Sequence, residues 1–131
     1  MTGYADPELL LAGWLHELLA CKMYADPRLQ ANWWAQAPIG HVQRAPGEGD
    51  TALTLDSALI DLDFYGKIAD QVRAYAEQAR YELRVNLRLH TFASGVLCTD
   101  VFTVTAPFWA PDPSVFRRSA TYRVMLAGMT A

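Results

Sequence analysis

The chain has 131 residues and a mass of 14.6 kDa, the size of one domain with room for a single core. Hydrophobic residues make up 52% and charged residues 19%, too apolar a mixture for a disordered chain, and the longest apolar run stops well short of the roughly 18 residues that mark a membrane-spanning helix. The formal net charge of −3 provides no general attraction to nucleic acid or to anionic lipid.

The opening segment Met1-Thr2-Gly3-Tyr4-Ala5-Asp6 has neither a basic start nor an early apolar run, so no signal peptide is expected and the expected place of synthesis is the cytoplasm. Asp6 then has the character of an N-cap, Pro7 suits the first helical position and Glu8 suits the positive end of the helix dipole. Leu10, Leu11, Trp14, Leu15, Leu18 and Leu19 follow at three- and four-residue spacing, which predicts an amphipathic core helix over about 7–21. Residues 22–38 read as irregular. There Tyr24-Ala25-Asp26-Pro27 repeats Tyr4-Ala5-Asp6-Pro7 and is able to cap a short helical turn towards Trp33 and Trp34.

The pattern then becomes strand-like. Ile39 to Ala45 predicts a strand, Pro46-Gly47-Glu48-Gly49-Asp50 a turn, and Thr51 to Leu55 a return strand, together a hairpin with a mobile tip. Leu59 to Phe64 predicts another strand, with Ile60, Leu62 and Phe64 on one face and Asp61 and Asp63 on the other. Over residues 65–90 the apolar positions Ile68, Val72, Tyr75, Ala76, Ala79, Leu83 and Leu87 keep helical spacing. The tail Tyr81 to Leu89 also alternates, but no turn signal separates it from Arg80, so a continued helix is preferred. Ser94-Gly95 breaks the chain. Val96 to Thr105 predicts a strand, Pro107 to Pro113 a loop or an edge excursion, and Phe116 to Leu126 a closing half-buried strand. The sum is one α+β domain over residues 1–131: a mixed, mostly antiparallel sheet of about four or five strands with two helices packed on one face.

Motifs for catalysis are sparse. His16, His41 and His90 are scattered, no HExxH or GxSxG is present, and Gly47-Glu48-Gly49 lacks the lysine of a phosphate loop. Cys21 and Cys98 lie outside any CxxC pair and read as two ordinary thiols, with a single disulfide left open. Asp61 and Asp63 project from one strand face about 7 Å apart, a spacing compatible with a hydrated cation but better suited to an exposed sheet face or a subunit contact. Arg80, Arg84 and Arg88 form a basic stripe at four-residue spacing, read as a solvated face or one that meets acids on a neighbour. Trp14, Trp33, Trp34 and Trp109, with Phe108 and Phe116, are many large aromatics for a small domain. They suit either a protein interface or a satellite cluster over the core edge.

Three stretches carry a resemblance. They are Asp6-Pro7-Glu8-Leu9-Leu10-Leu11-Ala12-Gly13-Trp14-Leu15, then Leu55-Asp56-Ser57-Ala58-Leu59-Ile60-Asp61-Leu62-Asp63-Phe64-Tyr65-Gly66, and Ala106-Pro107-Phe108-Trp109-Ala110-Pro111-Asp112-Pro113 followed by Phe116-Arg117-Arg118 and Ala120-Thr121-Tyr122-Arg123-Val124. In order and spacing along nearly the whole chain, the sequence resembles the tail terminator proteins of siphophages that infect actinobacteria, relatives of the lambda-type tail terminator. It departs from them in a longer, tryptophan-rich stretch from Lys22 to Pro38.

The resemblance implies an α+β subunit that assembles into a homohexameric ring, caps the tail tube, stops its polymerisation and presents a face to the head-completion or stopper protein, at the head-proximal end of the virion tail. DNA would cross the lumen without sequence-specific binding. No reaction, cofactor, metal or membrane is implied. A ring needs two different patches on each copy. Pro107, Phe108, Trp109, Pro111 and Asp112, with Arg117 and Arg118 beside them, are expected to form one. Gly47, Glu48, Gly49 and Asp50 are expected to form the second or to reach the tube, and Asp61 and Asp63 to meet arginines of a neighbour. A head-to-tail stopper or connector ring is the alternative within phage biology, and a small ligand-binding or enzymatic α+β domain is the alternative outside it.

Overall fold

Asp6 starts the first helix as its residue type predicts. In the computed structural model, which describes residues 3–29 and 31–130, its carboxylate accepts the Glu8 N–H at 2.9 Å. Helix α1 runs Pro7–Leu19, buries Leu11, Ala12, Leu15 and Leu19, and ends at Ala20 in the left-handed region with φ of 51°. A short strand β1 (Gly3–Tyr4) precedes it and pairs with β8 (Met129–Thr130) in a separate two-stranded ribbon.

The main sheet has six strands, more than the four or five expected, in the order β2-β3-β5-β7-β6, with β4 attached to β5. They are β2 (Lys22–Tyr24), β3 (Ile39–Ala45), β4 (Asp50–Ala52), β5 (Leu55–Gly66), β6 (Leu97–Ala110) and β7 (Phe116–Ala127). The pairing is antiparallel except for β2, which runs parallel to β3. Ile60, Leu62 and Phe64 of β5 and Ala120, Tyr122, Val124 and Leu126 of β7 alternate inward and pack with α1 and α2 (Ala69–Tyr81) in one continuous core. Both helices therefore cover the same sheet face, the arrangement that the period-2 and period-3.6 patterns require.

The ambiguous tail of the second helix is settled by burial. The chain continues past α2 in a wider π-helical winding over Glu82–Leu87, and Leu83 and Leu87, four residues apart, are both buried while Tyr81, Val85 and Leu89 are exposed. The basic stripe on this stretch meets β6: Arg84 donates to the Val101 carbonyl and Arg88 pairs with Asp100 at 3.2 Å. Cys21 and Cys98 are free and buried, which pushes their thiols up to about 11 and about 12.

Two expectations are corrected and one pair of alternatives is decided. The segment 22–38 is not wholly irregular: it holds β2, and the short helical turn expected near Trp33 and Trp34 is a 3-10 turn over Trp33–Gln36 that starts after Asn32 with no side-chain cap. The expected hairpin between Ile39–Ala45 and Thr51–Leu55 does not form. β3 instead pairs with β5 from Ile39↔Tyr65 to Ala45↔Leu59, and β4 folds back on the start of β5. The longer strand offers β3 seven matched positions and a buried partner for Val42, which three residues of β4 do not. Finally, β6 runs past Thr105 through Pro107 to Ala110, the edge excursion of the two alternatives rather than a loop. Proline is tolerated because β6 is an edge strand, and register shifts between Thr103 and Phe108 absorb the irregularity.

Candidate subunit interface

The sheet face away from the helices carries a polar ladder. Asp61 accepts from the Thr121 hydroxyl at 2.7 Å. Asp63, largely buried, accepts from Ser119 and from Arg117, the latter at 3.3 and 3.4 Å. The spacing placed both acids on one face correctly, but Asp63 is held by its own Arg117, 54 residues along the chain, rather than left open for a neighbour's arginine. Among the described residues no group of three His, Cys, Asp or Glu side chains is placed to hold a metal ion.

The Pro46–Asp50 turn, with Gly47 at φ of 121°, is anchored rather than loose. Glu48 reaches back to Arg123 at 2.9 Å and to the Ser57 hydroxyl at 2.7 Å. The Arg123 hydrogen bond, and after it that of Ser57, holds the Glu48 carboxyl below the usual carboxylate range. A depressed folded pKa means the anchor is complete above the ordinary glutamate range and is lost as pH falls through the folded value. In an NMR titration the Gly47 and Gly49 amide shifts should move at a midpoint below that of an unperturbed glutamate. Arg123→Ala should raise that midpoint, and an unchanged midpoint would show that the ion pair does not hold the turn. Beneath the turn, Arg44 clasps Asp56 through two hydrogen bonds of 2.7 and 2.6 Å, and Asp50 stands directly opposite Asp56 across β4 and β5.

At the other end of β5 lies an aromatic corner. Trp109 packs on Phe116 at 5.9 Å, with the Arg118 guanidinium 4.9 Å and the Arg73 guanidinium 5.5 Å from its ring centre. As the alternation of β7 requires, Arg117 and Arg118 diverge: Arg117 reaches Asp63 and lies over Tyr65, while Arg118 reaches Glu77 of α2 at 3.4 Å. Asp112 accepts the Ser114 and Val115 N–H groups at 3.0 and 3.2 Å, and these bonds, Ser114 first, hold its carboxyl below the usual range. The result is an open groove of about 400 Å³ walled by Trp109, Pro111, Phe116, Arg73 and Arg117. Beside it Trp33 packs on Tyr65 at 5.1 Å and joins a second small apolar cluster with Tyr24 and Ile39.

The fold thus gathers Pro107, Phe108, Trp109, Pro111, Asp112, Arg117 and Arg118 at one end, places Gly47, Glu48, Gly49 and Asp50 at the other, and leaves Asp61 and Asp63 between them. Twelve residues of β5 separate the two ends by about 36–40 Å. Sequence reasoning missed Phe102 and Val104, exposed on the β6 edge, and Leu53, a residue 83% exposed at the turn between β4 and β5. Leucine and valine in strand-like runs carry no signal that sets them apart from core residues. Comparison of the chain with protein-family models yields no match, and comparison with curated proteins yields none.

Proposed function

We propose that this protein is a ring-forming structural subunit of the phage tail terminator kind, which caps the tail tube, stops its growth and offers its other face to the head-completion protein. The observation that carries the ring is the exposed apolar strip along the free edge and end of the sheet: Phe102, Val104, Phe108, Trp109 and Phe116 are each between 38% and 49% exposed on or beside an edge strand. Exposed apolar residues gathered along an unpaired sheet edge favour association. One patch per copy serves a two-fold pair or a heterologous contact; the ring proposed here uses it heterologously, against a different patch of the next copy. The tail-terminator assignment rests on the resemblance of the three sequence stretches. The acidic balance of −3 suits a lumen through which DNA slides without phosphate-driven retention.

The test is growth of the cognate tube protein. Added at increasing ratios, the protein should shorten the tubes measured by electron microscopy and decorate one end of each with a six-fold ring. Tubes of unchanged length with bare ends would overturn the proposal.

A further inference from the structure

Leu53 is an apolar side chain left in solvent on a rigid support. Its own carbonyl accepts the Tyr4 hydroxyl at 2.6 Å, and the next carbonyl, of Thr54, accepts the Gly128 N–H at 2.9 Å. The turn is therefore fixed on two sides while the leucine itself is 83% exposed, more than any other large apolar residue described. Three residues away Asp50 lies directly opposite Asp56, a like-charge pairing that is unfavourable across two strands. Arg44 compensates Asp56, whereas Asp50 has no ion pair among the described residues. Counting Asp6, Glu8 and Glu48 as well, carboxylates outnumber the two guanidinium groups of this end, Arg44 and Arg123.

The opposite end of β5 has the complementary form. The groove is walled by Trp109, Phe116 and Pro111 and lined by Arg73, Arg117 and Asp112, of which Arg117 is taken by Asp63 and the Asp112 carboxylate by the Ser114 and Val115 N–H groups. Arg73 is half exposed and lies over Trp109, and its one ion pair among the described residues is to an Asp70 side chain that is itself 93% exposed, a link too wet to satisfy it strongly. Lys67 on the adjoining rim is exposed and has no ion pair among the described residues.

We infer that the Leu53–Asp50 knob of one copy seats in the Trp109–Phe116 groove of the next, Leu53 against the aromatic walls and Asp50 towards Arg73 and Lys67. The occupant is a second copy because the chain itself carries both halves, apolar knob with apolar groove and surplus carboxylate with under-used cations, at opposite ends of one strand. Taken head to tail, such a contact propagates from copy to copy until the ring closes, whereas a two-fold pair would satisfy it by seating each knob in the other's groove and stop at two copies. It rests on the ring proposed above and names its contact.

Charge reversal with mixing tests it. Asp50→Lys alone, and Lys67→Glu with Arg73→Glu in a second protein, should each raise the concentration needed for assembly at least about tenfold, because like charges then face each other in the contact. An equimolar mixture of the two should assemble again as an alternating ring, since the reversed knob meets the reversed groove and the native knob meets the native groove. That recovery also shows that both variants fold. Leu53→Ala should weaken assembly without being rescued by either. Native mass spectrometry of each protein and of the mixture reads all of these. Variants that assemble as the wild type does, or a mixture that stays apart while the wild type forms rings, would overturn this contact and leave the ring standing. A wild-type protein that forms no ring, alone or on tubes, would overturn both.

Discussion

Phe108→Ala together with Trp109→Ala should yield a folded monomer that no longer forms rings. Both side chains lie at the far end of β6, an edge strand, and are 47% and 38% exposed, so their removal opens no cavity in the core. Inside the subunit Trp109 gives up its packing on Phe116 and its contacts with Arg73 and Arg118, which at a partly exposed site amounts to about 1 kcal/mol. Between subunits the loss is larger. A tryptophan at the centre of a desolvated patch contributes about 2 kcal/mol or more, and each 1.4 kcal/mol is a factor of about ten in affinity. Because a ring repeats the same contact at every junction, a modest loss per junction multiplies into the absence of closed rings. Native mass spectrometry should find monomer, and circular dichroism should find an unchanged fold. Intact rings from the double variant would place the subunit contact elsewhere on the surface.

Parts of this geometry are legible in the amino-acid sequence alone, and the reasons are local. The Asp6-Pro7-Glu8 start of α1 is a cap, a preset φ and a dipole partner in succession, all contained within one turn. The alternation of Ile60, Leu62 and Phe64 against Asp61 and Asp63 needs only the period of a strand, and the structure divides those residues between core and open face as the period demands. Pairing partners are another matter. Pro46-Gly47-Glu48-Gly49-Asp50 announces that the chain turns but not where it lands, and the chain lands on β5, not back on β3. β2 has three residues and finds a parallel partner 17 residues further on at Lys22↔Ile39, too short and too distant for any periodicity to expose.

The candidate site divides in the same way. That Trp109 and Phe108 would be surplus to the core was readable from the three prolines around them, which keep that stretch at an edge. That Asp63 is held by Arg117, and Glu48 by Arg123, was not, because each pair joins residues brought together only by the register of β5 and β7. Leu53 was hidden for a different reason. In the string Thr51-Ala52-Leu53-Thr54-Leu55 it has the appearance of a strand residue, and only the turn held by Tyr4 and Gly128 turns it outward.

Phe64→Ala should cause the largest loss of stability of any change considered. Phe64 is 1% exposed near the C-terminal end of β5, between the sheet and α2, and lies nearly parallel to Tyr75 with ring centres 6.2 Å apart. Its strand is paired on both sides, Phe64 lying opposite Gly40 of β3 and Arg118 of β7 with the core residues Val42 and Ala120 opposite Leu62, so the space left by the ring cannot close by collapse of one flexible element. A phenylalanine truncated in such a place costs about 3–5 kcal/mol, a large part of the roughly 5–15 kcal/mol that holds a domain of this size folded. The melting temperature of the monomer should fall by about 10–20 °C. Phe116→Ala removes the same ring from a residue 47% exposed and should cost the monomer about 1 kcal/mol or less, its effect appearing in assembly instead. Denaturant unfolding of both variants, below the concentration at which rings form, separates the two. A Phe64→Ala protein within about 1 kcal/mol of the wild type would mean that α2 does not pack on β5 at this position, and the division of the chain into one buried sheet face and one interface end would fail with it.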